Sequence, residues 1–342
     1  MQKFDIEAQA IRVSTEVWQR NKLVNSSHIV GPGGAGTGRG TSETPIPRAR
    51  PNSWIRPDER KAFGFVIPLV VLEVVLVALP LILAAYYSLY RVDYFELTEF
   101  RGLGNYWRVL TSPMIVQSMF ATMIFSFFAL VLALTVGLGL ALHLERDTRW
   151  NVFARAAVLV PYVISMLVGS LLLRWIFSKD AGITGAILGP FGLGDASILA
   201  DPTNAMAALI FNGVWRDSAF AMILLLAGLK SIPASLGQAA AIDGASALYR
   251  FWRITLPLMR VPILITVIRL LIHFVNVLTF ALILTGGGPN QATQTLGLSL
   301  YRLGFIDFRM GEANALAILV FLMNVVLIGI NLLLFRQRGK ST

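Results

Sequence analysis

Gln238-Ala239-Ala240-Ala241-Ile242-Asp243-Gly244-Ala245, continuing through Arg253 to Ile254-Thr255-Leu256-Pro257, is a polar, helix-forming insertion between two strongly apolar stretches. A chain that only had to reverse direction at a membrane surface would use a few residues there. This one uses about thirty, Lys230 to Arg260, with no long apolar run. Pro233 ends the preceding stretch and suits the first turn of a new helix. Ala239, Ala240 and Ala241 are strong helix formers whose small side chains let another surface approach the backbone. Gly244 breaks or bends the element where a Cβ would cost or clash. A second helical piece, Ser246 to Arg253, leads to Leu256-Pro257 and the next apolar run. Two short helices at an angle on one membrane face are therefore expected. Physics alone leaves two roles open: a handle for a partner, or an amphipathic hairpin lying on lipid, which Phe251 and Trp252 would suit.

Composition places the whole chain in a bilayer. It is 56% hydrophobic and 14% charged, against about a quarter charged in soluble globular domains. The net charge of +10 is no nucleic-acid signature. The basic residues sit at the ends of apolar runs and in the N-terminal tail, not along one solvated helix interleaved with aromatics. Orientation and anionic headgroups account for them better. The chain has no cysteine, which excludes disulfides, Cys-ligated zinc and thiol catalysis. His28, His143 and His273 are far apart in sequence, and a metal site is not expected. No paired carboxylates, nucleophile–base set or metal cluster marks a membrane enzyme.

Residues 1–60 read as a disordered tail, too rich in glycine, proline and charge to hold a core. No stretch in it is apolar enough for a signal peptide, so the first span is expected to act as the membrane signal. Six apolar runs follow, at about 62–89, 117–143, 154–177, 205–227, 261–284 and 313–335, each near the length that crosses hydrocarbon as a helix. Arg56, Arg60, Lys61, Arg146, Arg149, Arg155, Lys230, Arg250, Arg253, Arg260, Arg336, Arg338 and Lys340 crowd one side. By the positive-inside rule both termini and the 230–260 loop are cytoplasmic, and the loops at 178–204 and 285–312 face outward. The expectation is an all-α, multi-pass protein of the cell membrane.

The spacing of Gln238-Ala239-Ala240, three residues, Gly244, nine residues, Ile254-Thr255-Leu256-Pro257 resembles the EAA loop of permeases in binding-protein-dependent ABC importers. Leu226-Ala227-Gly228-Leu229-Lys230-Ser231-Ile232-Pro233 and Ile242-Asp243-Gly244-Ala245-Ser246 are similar to the carbohydrate-uptake branch. Gly102-Leu103-Gly104-Asn105-Tyr106, Leu173-Arg174-Trp175-Ile176-Phe177, Leu284-Thr285-Gly286-Gly287-Gly288-Pro289 and Ala315 to Ala317 complete the set in order. The match spans about 60–340 and resembles the first permease of maltose and glycerol-3-phosphate systems. It departs from the pattern at Gln238, where the family usually has Glu, and at Ala219, where relatives tend to have proline.

The resemblance implies a type I ABC importer permease fold over 61–342, with six transmembrane helices and a cytoplasmic coupling-helix loop. It implies a second homologous permease subunit, two cytoplasmic ATP-binding subunits, an extracytoplasmic solute-binding protein and a sugar as cargo. The chain itself then needs no cofactor, since ATP-Mg belongs to the ATPase partners. Gln238, Ala239, Ala240, Asp243 and Gly244 would carry ATPase coupling.

Charges inside the spans are the second line. At about 1.5 Å of rise per residue, Glu73 and Arg269 lie well inside the bilayer, as do Arg216 and Asp217. Each would cost about 2.5–3.5 kcal/mol or more facing lipid, so all four are expected to face the bundle interior. Thr266, Arg269, His273 and Asn276 recur at steps of three, four and three, which puts them on one helical face. That stripe, with Glu73 and with Asn324 and Asn331 seven apart on the sixth span, is the candidate solute path. The alternative is helix–helix glue, with Arg269 neutralised by Glu73. Glu73, Asp217 and His273 also fit a competing class, an ion-coupled secondary transporter using them as proton sites. Two phosphate-loop look-alikes, Gly31 to Gly36 and Gly339-Lys340-Ser341, lack the flanking context such a site needs.

Overall fold

In the computed structural model the apolar runs form helices, and the structure describes residues 57–178 and 198–338 apart from Phe95. Residues 1–56 of the N-terminal tail, most of the 178–204 loop and both phosphate-loop look-alikes lie outside the described residues. In chain order the helices are α1 (Pro57–Ser88), α2 (Gly104–Thr111), α3 (Pro113–His143), α4 (Arg149–Val163), α5 (Met166–Ile176) and α6 (Pro202–Lys230). They continue with α7 (Ala234–Ile242), α8 (Ala247–Leu258), α9 (Arg260–Val275), α10 (Leu296–Ile306) and α11 (Met310–Arg338). An antiparallel pair, β1 (Tyr90–Asp93) and β2 (Glu96–Phe100), follows α1, with a bulge between Arg91 and Val92.

Among the described residues, four helices are each long and apolar enough to cross a membrane: α1, α3, α6 and α11. The count reaches six if the bent pairs α4–α5 and α8–α9 are each taken as one span. The third and fifth runs thus differ from the unbroken helices expected of them. The third turns by 92° between Val163 and Met166, where Ile164 and Ser165 are extended. The fifth stops at Val275 with Asn276 as its C-terminal cap. Val277 and Leu278 are non-helical, and a π turn over Ala281–Thr285 leads into Gly286 at φ 62°.

Small residues decide the packing. Ala129, Ala133, Gly137 and Ala141 recur every fourth residue along α3, and all are buried. That stripe lies against α6 so closely that a Cβ on Gly137 would fall 2.5 Å from the Ala221 Cβ and 2.9 Å from the Ser218 carbonyl oxygen. Lipid tails are as apolar as leucine, so helices in a bilayer associate through this kind of close fit. α9 closes the third side. Phe274 meets Phe125 edge-on at 5.6 Å, over Gly213, where a Cβ would lie 3.2 Å from the Phe274 ring. Gly228, near the end of α6, leaves room for Pro262 in the same way.

The GLGNY run has a structural reason. Asn105, fully buried, donates from Nδ2 to the carbonyls of Ser88 and Tyr90, both at 2.8 Å. It thereby satisfies backbone oxygens left open where α1 gives way to β1. Tyr106 and Ser88 share a hydroxyl hydrogen bond of 2.7 Å. By contrast, no side chain of α1 from Val66 to Tyr87 is buried. The helix is tied down at its end and presents its length outward.

Candidate functional site

The 230–260 loop folds as the expected pair of short helices. α7 ends in a complete C-terminal capping motif: Ala245 N–H donates to the Ala240 carbonyl at 2.9 Å and Gly244 N–H to that of Ala241 at 3.1 Å. The closing residue must be left-handed, and Gly244 sits at φ 82°. Ser246 then caps α8, its hydroxyl accepting from Tyr249 N–H at 3.2 Å. Arg250 donates across the angle to the Gly237 carbonyl at 3.1 Å. Gln238, Ala239, Asp243 and Gly244 are exposed and Ala240 is half-buried. Beside them Ile242 is 87% exposed, Leu248 68% and Trp252 59%. A short helix that offers small residues and bare apolar side chains is a surface for a protein partner or for lipid.

Beneath α7 lies a recess of about 1000 Å³, lined among others by Asp147, Lys230, Gln238 and Arg250. Its wall is an ion cluster that spacing alone did not reveal. Lys230 Nζ donates to both Asp147 oxygens at 2.6 and 2.8 Å, and Arg155 Nη1 donates to Asp147 at 2.8 Å. Arg155 also donates to the carbonyls of Leu144, Glu145 and Arg146, closing the open end of α3. Hydrogen bonds from Lys230 first and Arg155 second hold the Asp147 carboxyl below its ordinary range. The last turn of α6 is thus bolted to the α3–α4 corner where the loop begins.

Within the bundle the charges form a ladder. Arg216 lies 5.1 Å from the Tyr162 ring centre, Tyr162 stacks on Phe220 at 5.4 Å, and Arg269 lies 4.9 Å from the Phe220 ring centre. Two arginines therefore face two aromatic rings, which hold them by cation–π attraction. Arg216 also donates to the carbonyls of Pro161 and Ile164, at 3.3 and 2.6 Å. Those oxygens border the 92° bend, and in a bilayer they need a donor from within the protein. Tyr162 and Phe220 were missed from the sequence. The available sign was the i, i+4 spacing of Arg216 and Phe220.

One turn along α9, His273 Nε2 stands 3.3 Å from Asp217 Oδ2, and the Asp217 side chain is only 1% exposed. Asn276 and Asn324 hydrogen-bond reciprocally at 3.1 and 3.3 Å, joining the end of α9 to α11. Thr266 is buried and bonded to the Pro262 carbonyl, and Asn331 bonds back to that of Leu327. Arg269, His273, Asn276 and Asn324 are thus brought along one side of α9, with Asp217 beside them. Glu73 is not. It is exposed on α1 rather than facing the bundle interior as expected, and the pairing with Arg269 that the alternative required is absent, because α1 is not part of the three-helix core. Arg269 takes an aromatic face instead.

Comparison with known proteins follows the same outline. Residues 60–339 match the family described as "Binding-protein-dependent transport system inner membrane component". The trehalose/maltose transport system permease protein MalF of Thermococcus litoralis is 32% identical over 284 residues, covering 82% of this chain and 96% of its own length. The sn-glycerol-3-phosphate transport system permease protein UgpA of Brucella abortus is 32% identical over 268 residues, covering 77% and 90%. Among solved structures, a bacterial ABC transporter involved in the import of the acidic polysaccharide alginate contains a chain with the same fold. The TM-score is 0.72 at 20% identity, over 82% of this chain and 96% of that one.

Proposed function

The chain belongs to the family of binding-protein-dependent transport system inner membrane components, and from that premise we propose that it forms half of the path of an ATP-driven importer for a sugar or sugar-like solute. A second, similar permease supplies the other half. Two cytoplasmic ATPases hold the 230–260 loops and bind ATP-Mg, and an extracytoplasmic solute-binding protein delivers the cargo. On this reading both termini are cytoplasmic, and residues 61–342 make up the permease domain behind a tail of about sixty residues. Gln238, Ala239, Ala240, Asp243 and Gly244 form the face the ATPase grips. Arg269, His273, Asn276 and Asn324 line the path, and Glu73 stands apart from them on α1.

One observation carries the coupling role. α7 is capped at Gly244, follows an end of α6 that Lys230 and Asp147 brace to the α3–α4 corner, and yet leaves Ile242 and its neighbours bare. A helix resting on lipid would not need that ionic brace. No observation favours ion coupling: Asp217 and His273 stand 3.3 Å apart inside the bundle, and Glu73 is exposed on α1, away from both. Co-purification and uptake test the reading together. Ile242→Asp is expected to release the ATPase from detergent-solubilised complexes and abolish uptake, while wild-type uptake stops on ATP depletion and persists after the proton gradient collapses. Uptake that follows the proton gradient instead would refute it.

A further inference from the structure

A second cavity, of about 290 Å³, lies at the far end of α1, between β1, the start of α2 and the start of α11. Four arginines line it: Arg91, Arg101, Arg108 and Arg309, with Asp307 and Glu312. Glu312, with its side chain 10% exposed, is held by Arg309 at 2.5 Å. Its charge is therefore met before Arg108 arrives, and Arg108 reaches it only at 3.4 Å. Arg101 is the less expected case. Its side chain is 18% exposed, and its one ion pair among the described residues is with Glu99 at 3.7 Å, too long for a hydrogen bond. A largely enclosed guanidinium without a short acceptor is costly to keep, and Arg108, 52% exposed and bonded to Glu312 only at 3.4 Å, adds further donors to the same cavity.

The opposite wall is preformed. Tyr94 and Phe308 stack at 5.3 Å, Tyr94 N–H donates to the Phe308 carbonyl at 3.2 Å, and both residues have left-handed backbones, φ 51° and 53°. Bulky residues adopt that region only when their surroundings hold them there.

We propose that this cavity receives an acidic side chain of the solute-binding protein, its carboxylate between Arg101 and Arg108 and its stem against the Tyr94–Phe308 stack. The inference rests on the reading above that such a protein docks on this face of the membrane. Planar guanidinium forks match a carboxylate in geometry and charge. The volume suits one side chain rather than a sugar chain. Exposed Asp307 on the cavity lining and exposed Glu96 and Glu99 on β2 repel an anionic bilayer surface, whereas they suit a partner of mixed charge.

The test uses the assembled importer in nanodiscs with the solute-binding protein from the same gene cluster, reading its stimulation of ATP hydrolysis. Arg101→Gln and Arg108→Gln are each expected to raise the half-stimulating concentration roughly tenfold or more. The plateau should be reached at saturation, in neutral phosphatidylcholine and in anionic discs alike. Leu103→Cys, on an exposed position between Arg101 and Asn105 in a chain without cysteine, offers a second route. Capped with a bulky maleimide, it should block stimulation with both arginines intact. An unchanged half-stimulating concentration overturns the docking assignment alone, as does an effect confined to anionic discs, which would mark a lipid headgroup site. A wild-type complex that no binding protein stimulates overturns the functional reading and the docking assignment with it.

Discussion

At the scale of single residues, unmet backbone and charge explain more than side-chain type. Asn105 and Arg155 each close several open carbonyls at a helix end, and Arg216 does so at a bend inside the bundle. Gly244 needed no structure to be found as a break, since a glycine soon after an alanine run reads as the end or bend of a helix; its left-handed backbone came from the structure. Asp147 gave no such warning, because its partners Lys230 and Arg155 lie 83 and 8 residues away. Its lowered pKa carries a pH signature. The folded carboxyl titrates below its ordinary value of 3.8, so its stabilising effect is complete above that value and fades as pH falls through the depressed one. Asp147→Asn is therefore expected to melt earlier than the wild type at pH 7. The gap should narrow as pH falls below about 4 and close only once the depressed value has been passed.

Elements show where reading by hydropathy stops. Windows of apolar residues located the helices, since nothing else satisfies a backbone in lipid. They could not see that the third run breaks at Ile164-Ser165, because neither residue is a breaker and Pro161 before them is tolerated inside α4. Nor could they see the early stop at Asn276, whose side chain turns back to bond the Ile272 carbonyl at 2.7 Å. The stripe of small residues on α3 was present in the sequence but masked by its uniform apolarity. Its consequence is testable: Gly137→Leu puts a side chain where even a Cβ collides with Ala221 and Ser218. It should destabilise the α3–α6 pair by about 1–3 kcal/mol or more, seen as a lower melting temperature of the purified complex. A variant as stable as the wild type would mean that the two helices do not pack this closely.

For the whole molecule, the expectation that charges inside the spans face the bundle interior held for three of the four. Arg216, Asp217 and Arg269 turn inward, whereas Glu73 stays on α1, whose length touches no core of its own. The candidate path was legible as a face of α9 with Asn324 on α11, whereas the pairings that join it to α6, His273 with Asp217 and Arg269 with Phe220, were not, since helices far apart in sequence build them. If that face meets solute, the double variant Asn276→Ala, His273→Ala should raise the solute concentration for half-maximal uptake by roughly tenfold. Unaltered affinity and selectivity would reduce the stripe to a weld between helices.

α1 is fastened at one end, by Asn105 and Tyr106, and bare along the rest. Mechanically it is a cantilever: whatever it leans on in the bilayer can swing it about that single pivot without straining the remainder of the chain. Movement of the neighbour would then be felt first at Ser88 and passed through Asn105 to α2.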